Sequence, residues 1–328
     1  MGIVPLRDIE AASARIAGRV RRTAMEPSPS LSELAGAPVH LKLEHHQATG
    51  AFKLRGATNA LMLLSPEKRA TGVAAASTGN HGRALAFAAA REGVPCTICM
   101  SSLVPANKVE AIAALGATIR IVGRSQDEAQ REVDRLVSEG MAGVPPFDDP
   151  GIIAGQGTIG LEILEDVPDV DTVLVPLSGG GLIAGIAAAV KGRKPGVRVV
   201  GISMARGAAM AASLDAGRPV AVGELPTLAD SLGGGIGLSN GWTYTMVRDL
   251  VDEVLLLSEA EIAAGIRHTY AREREIVEGA AAVGIAALLA RKVRPDGPTV
   301  ALLSGRNIDM GLHRRIACGA NSLEEASC

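Results

Sequence analysis

Aromatic residues are scarce in this chain of 328 residues, which contains three Phe, two Tyr and one Trp. Apolar residues nevertheless make up 47% of the sequence, so Ala, Val, Ile and Leu must fill the core. Such a core suits helices packed on a parallel sheet better than an aromatic-rich β-sandwich. The length is typical of about two domains.

Long apolar runs and blocks of like charge are also missing. No run approaches the ~18 residues that span a bilayer, and the first residues lack the apolar core of a signal peptide. The formal net charge is -2 and the charges are spread along the chain, which argues against nucleic-acid binding. We therefore expect a cytoplasmic enzyme that binds neither membrane nor nucleic acid.

Cysteines are few, and their spacing does not favour a metal or redox site. Cys96 and Cys99 form a CxxC pair inside an apolar run that reads as a strand. Residues three apart on a strand point to opposite faces, so this pair should not hold zinc or form a redox couple. Cys318 and Cys328 lack a matching histidine pattern. All four are expected to be free thiols in a reducing compartment.

Strand and helix patterns alternate along the chain, which predicts an α/β fold with parallel sheets covered by helices. The predicted strands are 39–43, 72–76, 96–100, 118–122, 172–177, 197–202 and 299–303. The predicted helices are 53–64, 82–92, 105–115, 125–139, 155–164, 183–190, 259–273 and 280–289.

Lys53 lies in the window 47–56, after the Thr49-Gly50 turn and beside Phe52. A lysine amine whose charge is suppressed can form a Schiff base and carry out covalent chemistry. Most lysines are solvated, so the window gains its weight from two later segments.

The first of these segments, Ser178-Gly179-Gly180-Gly181, follows a predicted strand and precedes a helix. Backbone N–H groups at such a turn can surround a phosphate, helped by the field of the helix N-terminus. A tight turn without a ligand, or a dinucleotide-binding turn, is the alternative. The dinucleotide alternative requires an acid at the end of the next strand, which instead ends Gly201-Ile202-Ser203-Met204.

The second segment, Ser77 to His81, offers hydroxyls, an amide and N–H groups that suit a substrate carboxylate, although Asn80 could instead cap a helix. Ser304 follows the last strong strand and could reach a cofactor ring nitrogen or act as a helix N-cap. Glu278 begins an apolar helix, where the helix field favours an acid. His45 and His46 are adjacent, a spacing that does not match a regular metal-binding face.

Together these segments resemble the serine/threonine dehydratase branch of the fold-type II pyridoxal-phosphate (PLP) enzymes, from Arg22-Thr23 to Asn307. The resemblance also rests on the runs 42–44, 49–56, 154–158 and 304–305. The segments 42–47, 144–150 and 304–310 are similar to the hydroxyectoine-utilisation dehydratases. The resemblance implies a tryptophan synthase β-like fold of two parallel-type αβα sandwich domains with PLP between them. Residues 1–70 and 150–328 would form the large cofactor-binding domain, and 71–149 a small mobile substrate domain.

The resemblance also implies roles for individual residues. Lys53 would be the Schiff-base lysine and proton carrier, with Phe52 packed near the cofactor ring. Asn80 would contact the cofactor 3'-oxygen and Ser304 the pyridine nitrogen, with Glu278 in the same cofactor-binding set. The phosphate would be held by Ser178, Gly179, Gly180, Gly181 and Leu182, and the substrate carboxylate by Ser77, Thr78, Gly79 and His81. Thr78 is also a candidate catalytic residue, with Lys53.

Departures from the family pattern limit what the resemblance implies. Ala51 stands where relatives often have Ser. Ser203 and Ala209 stand where several relatives carry acidic cation ligands, so no metal is expected there. In the racemases a serine at the position of Thr78 acts as a base on the second substrate face, and the bulkier threonine disfavours racemisation.

The implied reaction removes water from a small β-hydroxy α-amino acid and releases a keto or imino acid and ammonia. Hydroxyectoine has no free primary α-amine, so ring-opened 3-hydroxyaspartate is the leading candidate. Its distal carboxylate would need a partner, for which His46 and Arg306 are the candidates, although Arg306 could pair with Asp309 instead. The alternatives are a serine/threonine dehydratase, an amino-acid racemase, a nicotinamide-dependent oxidoreductase or a non-catalytic binding protein. A homodimer is expected from the resemblance.

Overall fold

The computed structural model describes residues 2–104 and 106–325. Within these ranges the strands are Met25–Pro27 (β1), Val39–Lys42 (β2), Val73–Ala76 (β3), Cys96–Met100 (β4), Thr118–Ile121 (β5), Ala142–Gly143 (β6), Thr172–Pro176 (β7), Arg198–Met204 (β8), Glu253–Leu257 (β9) and Thr299–Leu302 (β10). They form two sheets. The larger has the order β1-β2-β10-β7-β8-β9, and the smaller has the order β5-β4-β3-β6.

The helices surround both sheets. They are Leu6–Ile16 (α1), Pro29–Ala35 (α2), Lys53–Leu63 (α3), Pro66–Thr71 (α4), Asn80–Glu92 (α5), Ala106–Ala113 (α6), Gln126–Ser138 (α7), Pro150–Asp166 (α8), Gly181–Arg193 (α9), Ala209–Asp215 (α10), Thr243–Leu250 (α11), Glu259–His268 (α12), Gly279–Leu289 (α13) and Met310–Ala317 (α14). Short 3-10 turns occupy Glu44–His46 and Asp230–Leu232, and a π-helical turn occupies Thr269–Glu273.

All strand pairs are parallel except β1 with β2, which pair antiparallel at the edge of the larger sheet. The α/β class predicted from the sequence is therefore confirmed. The smaller sheet lies wholly within residues 71–149. The proposed domain bounds, and the mobility of the smaller domain, stay predictions.

Close contacts between glycines hold α3 against α8, and α8 against α9. A Cβ on Gly155 would lie 2.6 Å from the Cα of Gly56, and a Cβ on Gly185 would lie 2.3 Å from the carbonyl oxygen of Ile153. Any larger residue at these positions would push the helices apart. Helix α8 itself begins at Pro150, where the side chain of Asp149 accepts a hydrogen bond from the Ile152 N–H. This packing fixes the direction in which α3 presents its first residue.

A buried ion network also anchors α3. The Arg55 guanidinium donates to both carboxylate oxygens of Glu44 at 2.9 and 2.7 Å, and to both of Glu162 at 2.6 and 2.9 Å. Lys42 Nζ lies 2.7 Å from Glu162 Oε2, and Arg55, Glu44 and Lys42 are all essentially inaccessible to solvent. These three buried charges and the partly buried Glu162 pair with one another, and the cluster ties α3 to the Glu44–His46 turn and to α8.

The cysteines behave as the sequence predicted. Cys96 packs in one apolar cluster and Cys99 in another, on opposite faces of β4, and both thiols are free. Burial raises the pKa of Cys96 to about 12 and that of Cys99 to about 11, so neither thiol is reactive at neutral pH. Cys318 is free and exposed, while Cys328 lies outside the described residues.

Across the described ranges, no helix is both long and apolar enough to cross a membrane.

Candidate active site

Lys53 is the first residue of α3, and its side chain is partly buried against the segment that contains Pro146. Its Nζ donates a hydrogen bond to the Pro146 carbonyl oxygen at 2.6 Å and lies 5.4 Å from the centre of the Phe52 ring. Burial lowers the pKa of Lys53 to about 8, against the opposing effect of the Glu278 charge. About a tenth of this amine is therefore uncharged at pH 7, far more than for a solvated lysine, and the uncharged form is the one that nucleophilic and proton-transfer chemistry requires.

The glycine turn predicted as a phosphate cup lies between β7 and α9. Gly180 has φ +91°, in the left-handed region that favours glycine. A Cβ on Gly179 would lie 2.5 Å from the Phe147 ring, and one on Gly181 would lie 2.8 Å from the Phe147 carbonyl oxygen. The turn lines the cavity at the N-terminus of a 13-residue helix, where N–H groups and the helix field favour an anion.

Ser304 lies immediately beyond β10 and beside Lys53. Its carbonyl oxygen accepts a hydrogen bond from the Phe52 N–H at 3.0 Å, and Gly305 forms an isolated β-bridge with Ala51. The Ser304 residue is buried. It does not cap a helix, because α14 begins only at Met310. The bridge fixes Ser304 relative to the lysine.

Asn80, Glu278 and Asn307 form a connected polar group next to the lysine. Asn80 Nδ2 donates to Glu278 Oε1 at 2.9 Å, and Asn80 Oδ1 accepts from Asn307 Nδ2 at 2.6 Å. The Asn307 N–H donates to Glu278 Oε2 at 3.2 Å. Burial, followed by the nearby Asp230 charge, raises the pKa of Glu278 to about 7. Neither Asn80 nor Glu278 forms a side-chain helix cap, so both are available to the site.

One cavity brings most of the predicted cofactor residues together. It is lined by Phe52, Lys53, Asn80, Ser178, Gly179, Gly180, Gly181, Leu182 and Ser304. Sequence reasoning did not predict its other lining residues, which are Phe147, Pro176, Ser231, Leu232 and Ala280. The sequence offered a signal for Phe147 only, through the resemblance of segment 144–150. Glu278 does not line the cavity itself, but it accepts a hydrogen bond from the side chain of Asn80, which does.

The substrate loop predicted at 77–81 forms the turn between β3 and α5. Ser77 Oγ accepts a hydrogen bond from the Gly82 N–H at 3.0 Å, and Gly79 is exposed at the helix N-cap. Thr78 is half-buried beside them. His81 is buried, and its Nε2 donates to the Val144 carbonyl oxygen at 2.8 Å. Burial and the Lys53 charge lower the pKa of His81 to about 3, so its ring is neutral.

His46 and Arg306 lie away from the Lys53 cavity. His46 Nε2 lies 3.0 Å from Glu275 Oε2. Arg306 is exposed and lines a separate cavity of about 590 Å³. Among the described ion pairs none joins Arg306 to Asp309, whose carboxylate instead accepts from the Leu312 N–H at the start of α14. The described conformation therefore brings no cation other than Lys53 to the cavity lining.

The donor set of this cavity fits PLP. The glycine turn presents N–H groups to a phosphate, the Lys53 amine is buried and partly neutral, and Ser304 offers a buried hydroxyl to a ring nitrogen. A nicotinamide dinucleotide fits less well, because β8 ends in Ser203 and Met204 with no acid to hold a ribose.

Comparison with known proteins agrees with this donor set. The family model for "Pyridoxal-phosphate dependent enzyme" matches residues 16–305. A Sinorhizobium fredii protein named "Putative threonine dehydratase" is 62% identical over 96% of this chain and 95% of its own length. The L-threonine ammonia-lyase of Thermotoga maritima is 42% identical over 96% of this chain and 78% of its own.

A solved structure of maize serine racemase superposes with a TM-score of 0.88 at 34% identity, covering 94% of each chain. The family match and these likenesses extend over most of the chain, and the family match includes all the residues that line the Lys53 cavity. The chain belongs to the family of pyridoxal-phosphate dependent enzymes, and PLP is its cofactor.

Proposed function

We propose that this protein is a PLP-dependent ammonia-lyase that dehydrates a small β-hydroxy α-amino acid. The observation that carries the proposal is the cavity in which a buried, partly neutral Lys53 lies beside a phosphate-type glycine turn and the neutral hydroxyl of Ser304. The names of the two relatives, a threonine dehydratase and an L-threonine ammonia-lyase, support the same reaction class.

Each residue has a distinct part in this reaction. PLP held at this site would supply the electron-withdrawing group that makes the α-proton of the substrate acidic. The Lys53 amine takes that α-proton, and the β-hydroxyl leaves as water with a proton supplied by the resulting ammonium or by another nearby acid. Hydrolysis of the resulting enamine or imine consumes one water and yields a keto acid and ammonia. Ser304 would offer the ring nitrogen of PLP a neutral hydroxyl and not an acid, which would favour rapid loss of the β-substituent.

Asn80, which lines the cavity, and its hydrogen-bond partner Glu278 tune this step. Asn80 is held between Glu278 and Asn307, so its amide is oriented before any ligand arrives. Orientation of this kind lowers the entropic cost of the reaction. Glu278, with its pKa near 7, sets the local field that Lys53 experiences.

Two substrate classes follow from different observations. L-threonine and L-serine fit a cavity lining that has no cation apart from Lys53. Two observations support a dicarboxylate substrate, such as 3-hydroxyaspartate arising in hydroxyectoine breakdown. The sequence is similar to the hydroxyectoine-utilisation dehydratases, and the neighbouring cavity is lined by Arg306, Arg83 and Lys108. Its distal carboxylate requires one of these cations to approach the reaction site.

An assay with L-serine, L-threonine and each 3-hydroxyaspartate stereoisomer tests both points, with keto acid and ammonia measured for each. Release of both products from any of them supports the reaction class, and the ratio of kcat/KM values decides the substrate. Recovery of racemised substrate without keto acid would refute the ammonia-lyase proposal in favour of a racemase. Substitution Arg306→Met should lower kcat/KM for the dicarboxylate alone if that substrate is correct.

We also propose that the enzyme works as a cytoplasmic homodimer, as the resemblance implies. Light scattering of the purified holoenzyme gives the mass directly, and a mass of one chain would refute the dimer. Cell fractionation tests the location.

A further inference from the structure

Three side chains of metal-binding type converge outside the Lys53 cavity. His45 Nε2 and His46 Nε2 lie 2.8 and 3.0 Å from the same oxygen, Oε2, of Glu275. One ligand atom from each of the three residues lies within 4.8 Å of the others. Adjacent histidines were not expected to share a metal face, but the 3-10 turn at Glu44–His46 brings their rings within 4.1 Å.

The chain positions two of these groups without help from a ligand. His45 is 1% exposed, and its N–H donates to the Leu303 carbonyl oxygen at 2.8 Å. Glu275 follows the π-helical turn, and its N–H donates to the Thr269 carbonyl oxygen at 3.1 Å. Arg274, the residue between this turn and Glu275, adopts φ +61°, a backbone conformation that costs free energy in a residue with a side chain. This backbone aims Glu275 at the two rings.

We propose that His45, His46 and Glu275 form a binding site for one divalent transition cation of the zinc class. Two imidazoles and a carboxylate on one side of the ion leave positions open, and His45 and Glu275 line the cavity of about 590 Å³ from which an ion could enter. Magnesium is not the expected ion, because it prefers an octahedral set of oxygens.

The charges around the cavity select what fills the open position. Arg83, Lys108, Arg274 and Arg306 line the same cavity, with Asp309 as an opposing charge. These cations repel a bare divalent ion and so weaken its binding to the site. They also favour an anion, such as hydroxide or a carboxylate, as the fourth ligand of the ion. Zinc, which binds neutral imidazole well, tolerates this environment better than calcium or magnesium.

A cation here would clamp the turn before Lys53 to the segment before Glu278. It would stiffen the reaction site from outside and take no part in its chemistry, because none of the three ligands lines the Lys53 cavity. The site is independent of Ser203 and Ala209, where the family resemblance would have placed a cation.

The test is a calorimetric titration of chelator-washed holoenzyme with zinc chloride. The background should be Cys318→Ser with Cys328→Ser, so that neither C-terminal thiol binds the ion. His46→Ala and Glu275→Gln each remove a ligand, and His46 is accessible enough at 39% side-chain exposure for its loss to leave the fold intact. His268→Gln is the matched control, since that histidine also contacts a glutamate, Glu273, at 3.2 Å but belongs to no three-ligand cluster among the described residues.

We expect one zinc ion per chain in the background protein and in the control, and at least about tenfold weaker binding in each ligand variant. Zinc should raise the thermal midpoint of the background protein and of the control, and leave both ligand variants unchanged. Equal zinc affinity in the background and the ligand variants would overturn the proposal, as would the absence of binding at millimolar zinc. Circular dichroism confirms that each variant is folded, and His46→Gln replaces His46→Ala if the alanine variant is not.

Discussion

The depressed pKa of Lys53 predicts how fast the cofactor-free protein captures PLP at different pH values. Only the neutral amine reacts with an aldehyde. For a pKa of about 8, the neutral fraction rises from about 9% at pH 7 to about 91% at pH 9, roughly tenfold, and then levels off. A solvated lysine with a pKa of about 10.5 would rise about a hundredfold over the same range with no plateau.

Rapid mixing with PLP, followed by the growth of the visible absorption band, measures this rate. A small alkylamine treated in parallel corrects for the titration of PLP itself. Lys53→Ala should show no band, which assigns the signal to this lysine. A rate that continues to rise past pH 9, or rises a hundredfold between pH 7 and 9, would refute the assignment of a buried, partly neutral amine.

Glu278→Gln sharpens the same experiment. The Glu278 charge raises the pKa of Lys53, so its removal should move the plateau to lower pH. The control replaces the exposed acid Glu139 by Gln, which should leave the pH profile of PLP capture unchanged.

Burial also raises the pKa of Glu278 to about 7 in the folded protein, well above the ordinary value for a glutamate. The folded state therefore binds more protons than the unfolded state between about pH 4.5 and 7, and the Glu278 contribution to stability is lost as the pH rises through this window.

Three further predictions concern the scaffold, the cup and metal dependence. Arg55→Met should lower the free energy of unfolding by about 3–5 kcal/mol in urea titrations, because it leaves the buried Glu44 carboxylate without its ion-pair partner, whereas Arg135→Met, at an exposed ion pair, should have a much smaller effect. Gly180→Ala should weaken PLP binding in fluorescence titrations, since its φ is +91° and a Cβ would lie 2.8 Å from a methionine methyl group; unchanged affinity would contradict the cup. Chelation should leave turnover nearly unchanged, because Ser203 and Ala209 supply no carboxylate; a loss restored by magnesium would contradict this.

The sequence predicted the fold class because its central strands are continuous apolar runs and its helices are long. It did not predict β9 at Glu253–Leu257, which is only partly buried at the sheet edge and is preceded by acidic residues. Short or peripheral helices such as α2, α4 and α10 were also missed, since seven residues or fewer carry little periodicity. The antiparallel β1 has three residues and no recognisable pattern.

The site residues that the sequence predicted best are those that belong to short motifs of consecutive residues. Lys53 and the glycine turn are each defined by a short local motif, and both line the same cavity. The partners of Asn80 could not be found in this way, because Glu278 and Asn307 are 198 and 227 residues away in the chain. The convergence of His45 and Glu275 escaped prediction for the same reason, since their meeting depends on a backbone turn at Arg274.

The position of β10 in the larger sheet has a consequence for biosynthesis. This strand, at Thr299–Leu302, lies between β2 and β7, so the N-terminal strands cannot join the rest of their sheet until almost the whole chain has left the ribosome. All four strands of the smaller sheet are available once residue 143 has emerged. Lys53 meets Ser304 only in the final step, so a nascent chain lacks the complete PLP site, and the edge of β2 that pairs with β10 stays open to incorrect pairing until synthesis ends.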